Sequence, residues 1–540
     1  MNNDYSFAER AAYAALLIFV VVYAAAMLGL FFGAGISAYT LPIGIVLTTG
    51  YAVLKDRPLL KAICVALGAL FACVFVSGLI IDASFDGMYF HKHAVIALKE
   101  GWNPVYQELA EVDPFAGYLN LSLWLENYPK GAWIFSAGVY AITNQLETAK
   151  AVNILFLIPV FASGYEVFRG VYRFSKVHGF ILALCAALNP VFIYQFLTFY
   201  NDLAVGALFI TGVFLCIKIY TNCASKYTYS ALFCVIIASC SVKFTAPALV
   251  GLALVVFGGL YAVKVEWEWR LLKRPVLVVL TAFVTGVTVF GFDPYIKHVL
   301  NGRHILHPVM GAEKYDIMNV NPPDSFKDGS GVRNLFMSVF AESNNVLGQE
   351  PRLKIPFTVA AGEFEALKFA DVRMGGFGVF FSGILILAVI VLVLSVMRKQ
   401  KVKAGAAIAL VFITLLALFF PESWWARYSS FTFYIPIFIL MLNGENTAFI
   451  WLKRALCGLI LVNSAIIIFI TISAGIGNTR EIKEKLSEIK DVNKSVILRV
   501  NDFPSHVALF NEFGINFKVS HVPLDDPFIF YGTTKYLFID

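Results

Sequence analysis

Leu60-Lys-Ala-Ile-Cys-Val-Ala-Leu-Gly-Ala-Leu-Phe-Ala-Cys-Val-Phe-Val-Ser-Gly-Leu-Ile-Ile81, followed at once by Asp82-Ala-Ser-Phe-Asp86, decides how this chain is read. A helix crosses the hydrocarbon core of a bilayer with roughly 20 apolar residues, and this run is that long. It delivers two acids just beyond the membrane. Outward from it the same pattern recurs: of 540 residues, 59% are hydrophobic and only 14% charged, with 50 Phe. The fold class expected is an all-α polytopic membrane protein. The first apolar run, Ala11 to Phe32, is too long for a signal-peptide core and is followed directly by another, so it reads as a retained span.

Thirteen spans are expected, near 11–33, 39–54, 61–81, 151–168, 179–200, 203–220, 229–242, 246–263, 275–292, 376–397, 404–420, 429–442 and 455–476. Basic residues between spans set orientation. On this count one side receives Lys55, Arg57 and Lys61, then Arg169, Arg173 and Lys176, then Lys218 and Lys226, then Lys264 to Arg274, Arg398 to Lys403, and Lys453 with Arg454. The short loops opposite hold only Lys243 and Arg427. The basic side is therefore cytoplasmic, with the N-terminus. The polar stretches 82–150 and 293–372 and the tail from Asn478 face outward. Gly131 to Asn144 is apolar, but counting it as a span would put the Arg169 cluster outside, so it is expected to lie along the outer interface. The division is a transmembrane domain, 1–477, and an extracytoplasmic appendage, 478–540, whose alternating segments near 495–500, 517–522 and 528–540 predict a small α/β unit.

In the first outer loop, Tyr89, Phe90, Ala94, Ile96 and Ala97 outline an amphipathic helix that Gly101 stops, with Pro104 beyond. Asp86 stands at its start, either as a helix cap or as a base held outside the membrane. Asp202, in Phe199-Tyr-Asn-Asp202, has the same two readings. Lys130, after Tyr128 and Pro129, either snorkels to lipid head groups or grips a phosphate. Lys243 lies between two short apolar segments, where facing lipid costs on the order of 2.5 to 3.5 kcal/mol; it must find water, an anion or a carboxylate. Pro421-Glu422-Ser423-Trp424-Trp425-Ala426-Arg427-Tyr428 places paired Trp and a Tyr as in an aromatic belt, yet Glu422 and Arg427 are not belt residues. Arg427 suits a phosphate and the aromatics a sugar face. Asp82 and His91 complete the candidate substrate-binding set.

No P-loop, dinucleotide-binding glycine pattern, Gly-x-Ser-x-Gly elbow or His-Glu-x-x-His is present. His304 and His307 have helical spacing but no neighbouring carboxylate or Cys, which argues against zinc. The eight Cys lie in or beside apolar runs or in one short basic loop, so no disulfide framework is expected.

An outward acid after a span, an amphipathic helix ending in Gly101-Trp102, Pro129-Lys130 before an apolar helix, Asp202 at a later helix mouth and a lone Lys243 together resemble the GT-C superfamily. These are integral membrane glycosyltransferases that take sugars from polyprenyl phosphates, such as the protein O-mannosyltransferases and the lipid A aminoarabinose transferases. The resemblance covers about Leu60 to Val263 in order. It implies Asp86 as catalytic base, Asp202 as second acid, and Lys130 and Lys243 beside the donor phosphate. The partners it implies are a polyprenyl-phosphate sugar and a glycan, lipid or protein acceptor, in a bacterial inner membrane serving envelope glycan synthesis, with no nucleic acid. The chain departs from the family pattern in carrying Pro129-Lys130 rather than Lys-Pro, Gly87 after the first acid, and an N-terminal hairpin, Ala11 to Leu54. A shared divalent cation, magnesium or manganese, stays open as a cofactor. The rivals are a transporter or flippase of lipid-linked sugars, and an O-antigen ligase or polymerase using a lipid diphosphate.

Overall fold

A computed structural model of the chain describes residues 6–117, 121–316, 318, 320–444 and 449–539. The helices in order are α1 Phe7–Phe31, α2 Thr40–Lys55, α3 Arg57–Leu79, α4 Lys92–Lys99, α5 Leu121–Asn127, α6 Gly131–Thr143, α7 Asn153–Tyr165, α8 Lys176–Ala187, α9 Pro190–Gln195, α10 Asp202–Tyr220, α11 Lys226–Val242, α12 Thr245–Lys264 and α13 Trp269–Thr285. After the second loop, which carries the short helices α14 Lys297–Leu300, α15 Asp324–Lys327, α16 Gly331–Val339 and α17 Glu363–Ala366, come α18 Phe381–Met397, α19 Ala404–Phe419, α20 Tyr434–Met441, α21 Ile450–Asp491 and α22 His506–Glu512.

Among the described residues seven helical stretches are long and apolar enough to cross a bilayer: Phe7–Phe31, Arg57–Leu79, Leu146–Val171, Asp202–Tyr220, Thr245–Lys264, Trp269–Phe290 and Ile450–Asp491. The other six expected spans fall on shorter apolar helices. One of these, 179–200, is broken: Pro190 lacks an amide hydrogen for the helix and Asn189 caps a new start, accepting from the Val191 amide at 3.0 Å. The backbone beyond α9 is then irregular. Asn153 satisfies it, its Nδ2 donating to the carbonyls of Gln195, Phe196 and Thr198 at 3.2, 3.0 and 3.0 Å. Irregular backbone buried in protein needs such partners for its polar groups.

The turns sort to two ends. At one, Asp56 meets Arg10 and Lys226 at 3.8 and 3.6 Å, Lys218 pairs with Glu9 and Glu166, and the Lys403 amide donates to the Leu442 carbonyl. At the other lie Asp86, Asp202, Lys243 and Arg427. The N-terminal hairpin is no peripheral addition, because α1 packs against α2, α3, α7 and α11 and buries most of its residues.

The expected interfacial helix, α6, lies instead inside the protein. Gly131 to Tyr140 are all buried, against α4, α1 and the turn before α7. A helix apolar on every side has no polar face to offer head groups; Gly131 also sits so close to Ser241 that a Cβ would lie 2.6 Å from its Oγ.

Beneath the first loop Glu147 is held between two lysines: Lys92 donates to Oε1 and Lys150 to Oε2, each at 2.5 Å, and the Asp82 amide also donates to Oε2 at 2.9 Å. The three side chains are 3%, 1% and 0% exposed. Glu147→Gln would strand two buried ammoniums, a loss of about 3–5 kcal/mol for breaking a buried ion pair. A clear drop in the melting temperature of the micelle-solubilised protein is expected; an unchanged melt would contradict it.

The appendage is a four-stranded sheet in the order β2-β1-β4-β3, formed by β1 Val496–Arg499, β2 Phe517–Val519, β3 Phe528–Tyr531 and β4 Thr534–Phe538. Strands β1 and β2 are parallel and linked by α22; β4 is antiparallel to both β1 and β3. It is not strung on a linker, since α21 runs unbroken through the expected boundary at 477. The sheet unit docks on the first loop: Ser505 Oγ donates to the Met88 carbonyl at 2.7 Å and Glu512 accepts from the Leu146 amide at 2.8 Å.

Candidate functional site

A cavity of about 1510 Å³ opens where the two polar loops meet the helix ends. One part of its wall is apolar, from Val76 and Ile80 at the end of α3, Leu157 of α7, Leu188 and Ile193 around the α8–α9 break, and Ile468 to Ile472 of α21. The other carries Asp86, His91, Tyr128, Asp202, Lys243, Asp371, Arg373, Trp425, Arg427 and Tyr428.

Asp86 reaches it through a tight turn. The Asp82 carboxylate accepts from the Ser84 and Phe199 amides, both at 2.9 Å, and pins the segment that follows α3 to the entrance of α10. Gly87 fits because a Cβ there would lie 2.3 Å from Asp82 Oδ2. A π-helical turn, Gly87–His91, then leads into α4, which ends before Gly101 at φ 108°. Asp86 makes no side-chain capping bond, and neither does the Asn201 that precedes α10. The cap readings of Asp86 and Asp202 therefore give way to ion pairs.

Arg427 is their hub. Its Nη1 donates to Asp86 Oδ2 at 3.0 Å and lies 3.6 Å from Asp371 Oδ2, while Nε is 3.7 Å from Asp202 Oδ2. The guanidinium stands over the rings of Tyr200, Trp425 and Tyr428 at 5.2, 4.8 and 4.8 Å, a cation–π cage that fixes its plane. Lys243, extended between α11 and α12, finds its carboxylate in Asp202 Oδ1 at 2.5 Å. Burial raises the Asp86 pKa above the ordinary carboxylate value; Arg427 opposes the rise, Asp371 and Asp202 add to it, and Lys243 opposes it less. Burial likewise holds His91 well below the usual imidazole range, so it is neutral. Its Nδ1 accepts from Trp133 Nε1 at 2.9 Å, which assigns the ring proton to Nε2.

Of the residues expected to bind substrate, Asp82, His91, Tyr128, Trp425 and Tyr428 line the cavity. Glu422 and Trp424 do not: the Trp424 indole donates to Glu422 at 3.0 Å, and its ring packs behind Trp425 and against Phe326. Lys130 also lies elsewhere. Its ammonium bonds Asp293 at 2.5 Å and the Glu126 and Tyr128 carbonyls at 2.9 and 3.0 Å, so its charge and donors are spent on tying α6 to the second loop. Neither snorkelling nor phosphate binding describes it. Sequence reading missed Asp371, Arg373 and Tyr200. The one available signal was an Asp-Val-Arg just ahead of a span, echoing Asp82 to Asp86.

Magnesium or manganese does not fit these residues. Asp86, Asp202 and Asp371 converge on a guanidinium that fills the centre a dication would take, and the described residues hold no group of three or more His, Cys, Asp or Glu suited to a metal. The chain matches no protein-family model, no curated protein and no solved structure among those compared.

Proposed function

We propose that the chain is a membrane glycosyltransferase of GT-C type, moving a sugar from a polyprenyl-phosphate donor to an acceptor hydroxyl at the outer face of the membrane. One observation carries this reading: a single cavity joins an apolar wall to a cluster of acids and cations. An isoprenoid chain suits the first and a phosphosugar the second. A transporter would need its ionisable groups along a path near the midplane of broken helices, whereas these gather at one end.

The chemistry follows from the charges. Asp86 takes the proton of the acceptor hydroxyl, whose oxygen attacks the anomeric carbon. The bond from that carbon to the phosphate oxygen breaks, and its electron pair stays on the phosphate, facing Lys243 and Arg427. A single displacement inverts the anomeric centre. Lys243, Arg373 and Arg427 balance Asp86, Asp202 and Asp371. Donor phosphate drawn to the cations leaves the carboxylates less compensated and strengthens Asp86 as a base when the acceptor arrives.

The third cation, Arg373, supports a second reading in which the carrier is a diphosphate. Purified protein incubated with radiolabelled sugars on mono- and diphosphate polyprenols separates the two: transfer from the monophosphate alone is expected. Transport of a lipid-linked sugar across liposomes without transfer would overturn the enzyme reading.

A further inference from the structure

One segment of the second polar loop is inside out. Between Leu353 and Val359 its large apolar side chains face away from the protein: Leu353, Ile355, Phe357 and Val359 are 54%, 74%, 45% and 40% exposed. The one ionic residue among them is folded inward. Lys354 bonds Glu363 at 2.5 Å and the Val379 carbonyl at 2.8 Å, with the two side chains 6% and 0% exposed. A loop bathed in water has the opposite polarity.

Its tip is a strained turn. The Thr358 amide donates to the Ile355 carbonyl at 3.1 Å around Pro356 and Phe357, and Phe357 sits at φ 70°. That position of such a turn belongs to Gly or Asn, and a bulky ring there is held at a backbone cost. The ring lies over Gly383, where a Cβ would come within 2.5 Å of it. Gly383 is in the first turn of α18, whose Val389, Ile390 and Val393 are themselves exposed. The tip thus continues the apolar outer surface of that helix. On either side of it in sequence, Leu347, Phe364 and Phe369 line the cavity.

We propose that the segment 353–359 inserts into the hydrocarbon edge of the outer leaflet and forms the wall between the bilayer and the cavity, past which a lipid-linked substrate slides sideways into the site. Insertion rests on the membrane reading of the fold. The role as a doorway rests on the glycosyltransferase reading above.

The test places a fluorophore at the tip. In protein whose exposed Cys64 and Cys223 are replaced by serine, Ile355→Cys and, as a control on the exposed Lys314, Lys314→Cys are labelled with bimane in nanodiscs containing phosphatidylcholine with a nitroxide near the headgroup end of its acyl chain. Quenching at 355 and none at 314 is expected. Phe357→Gly, which suits a left-handed backbone, should keep or raise thermal stability while weakening the quenching at 355. Equal fluorescence at both sites, with aqueous iodide quenching each, overturns insertion. Separately, Ile355→Asp should raise KM for a full-length polyprenyl donor about tenfold by making insertion costly and leave a short-chain, water-soluble donor unaffected; equal effects on both overturn the doorway. Quenching is read without turnover, so failure of insertion and failure of the enzyme reading are told apart.

Discussion

Asp86→Asn is expected to lower the rate of sugar transfer by about 10²- to 10⁴-fold, the usual contribution of a general base, with little change in donor KM. Asparagine keeps the side chain's shape and an oxygen for Arg427 Nη1, now 3.0 Å from Asp86 Oδ2, so the turn should fold as before. Proton removal acts in the transition state, which places the loss in kcat. The wild-type pH profile gives an independent reading. The base works only as carboxylate, and burial raises its pKa above the ordinary 3.8, so activity should fall with decreasing pH before ordinary carboxylates protonate. That acid limb should vanish from the residual activity of Asp86→Asn. A well-folded variant that transfers sugar at the wild-type rate removes Asp86 from the chemistry.

The acids and Lys243 were legible because polar residues at the ends of apolar runs stand out against hydrocarbon. Their partners were not. Lys243 announced that it needed a counter-charge, but only the meeting of α10, α11 and α12 identifies it as Asp202. Lys130 was read as snorkelling or gripping a phosphate, and its partner is Asp293, in a different loop. Local pattern carries no information on such pairings, so one lysine reached the cavity and the other became structural. Asp371 and Arg373 escaped notice for a related reason: the second loop has little helical or strand periodicity, and without a period no residue in it has a predictable face.

Helix positions were read from hydropathy, while packing was not. The N-terminal hairpin was read only as an addition ahead of the first loop, yet α1 lies against α2, α3, α6, α7 and α11; apolarity on all sides signals burial but not by what. The same signal in α6 was taken for an interfacial helix. In the tail the strands were visible as alternation, but α22 was not recognised, and neither was the docking of Ser505 on Met88. That contact brings Tyr531 of the appendage to the cavity wall. It also supports the π-turn beside Asp86, so deleting the sheet should disturb the position of Asp86.

Arg427→Gln is expected to reduce transfer at neutral pH by about 10²- to 10³-fold, as for removal of one electrostatic donor to a developing anion. Part of the loss should be recoverable. The guanidinium lies within 3.0, 3.6 and 3.7 Å of Asp86, Asp371 and Asp202; without it three carboxylates face one another with Lys243 and Arg373 as the remaining cations. Like charges disfavour ionisation, so the Asp86 pKa rises further and the acid limb of the rate profile moves upward. Raising the pH should then restore activity in Arg427→Gln more than in the parent. Asp371→Asn in the same protein removes one of the opposed charges and should return the limb toward its original position, so the two substitutions are non-additive. Arg427→Lys should rescue only partly, because a point charge cannot address three carboxylates and three rings in one plane as a guanidinium does. If Arg427→Gln lowers the rate with an unshifted profile, or Asp371→Asn merely adds its own loss, the guanidinium is not what sets the basicity of Asp86.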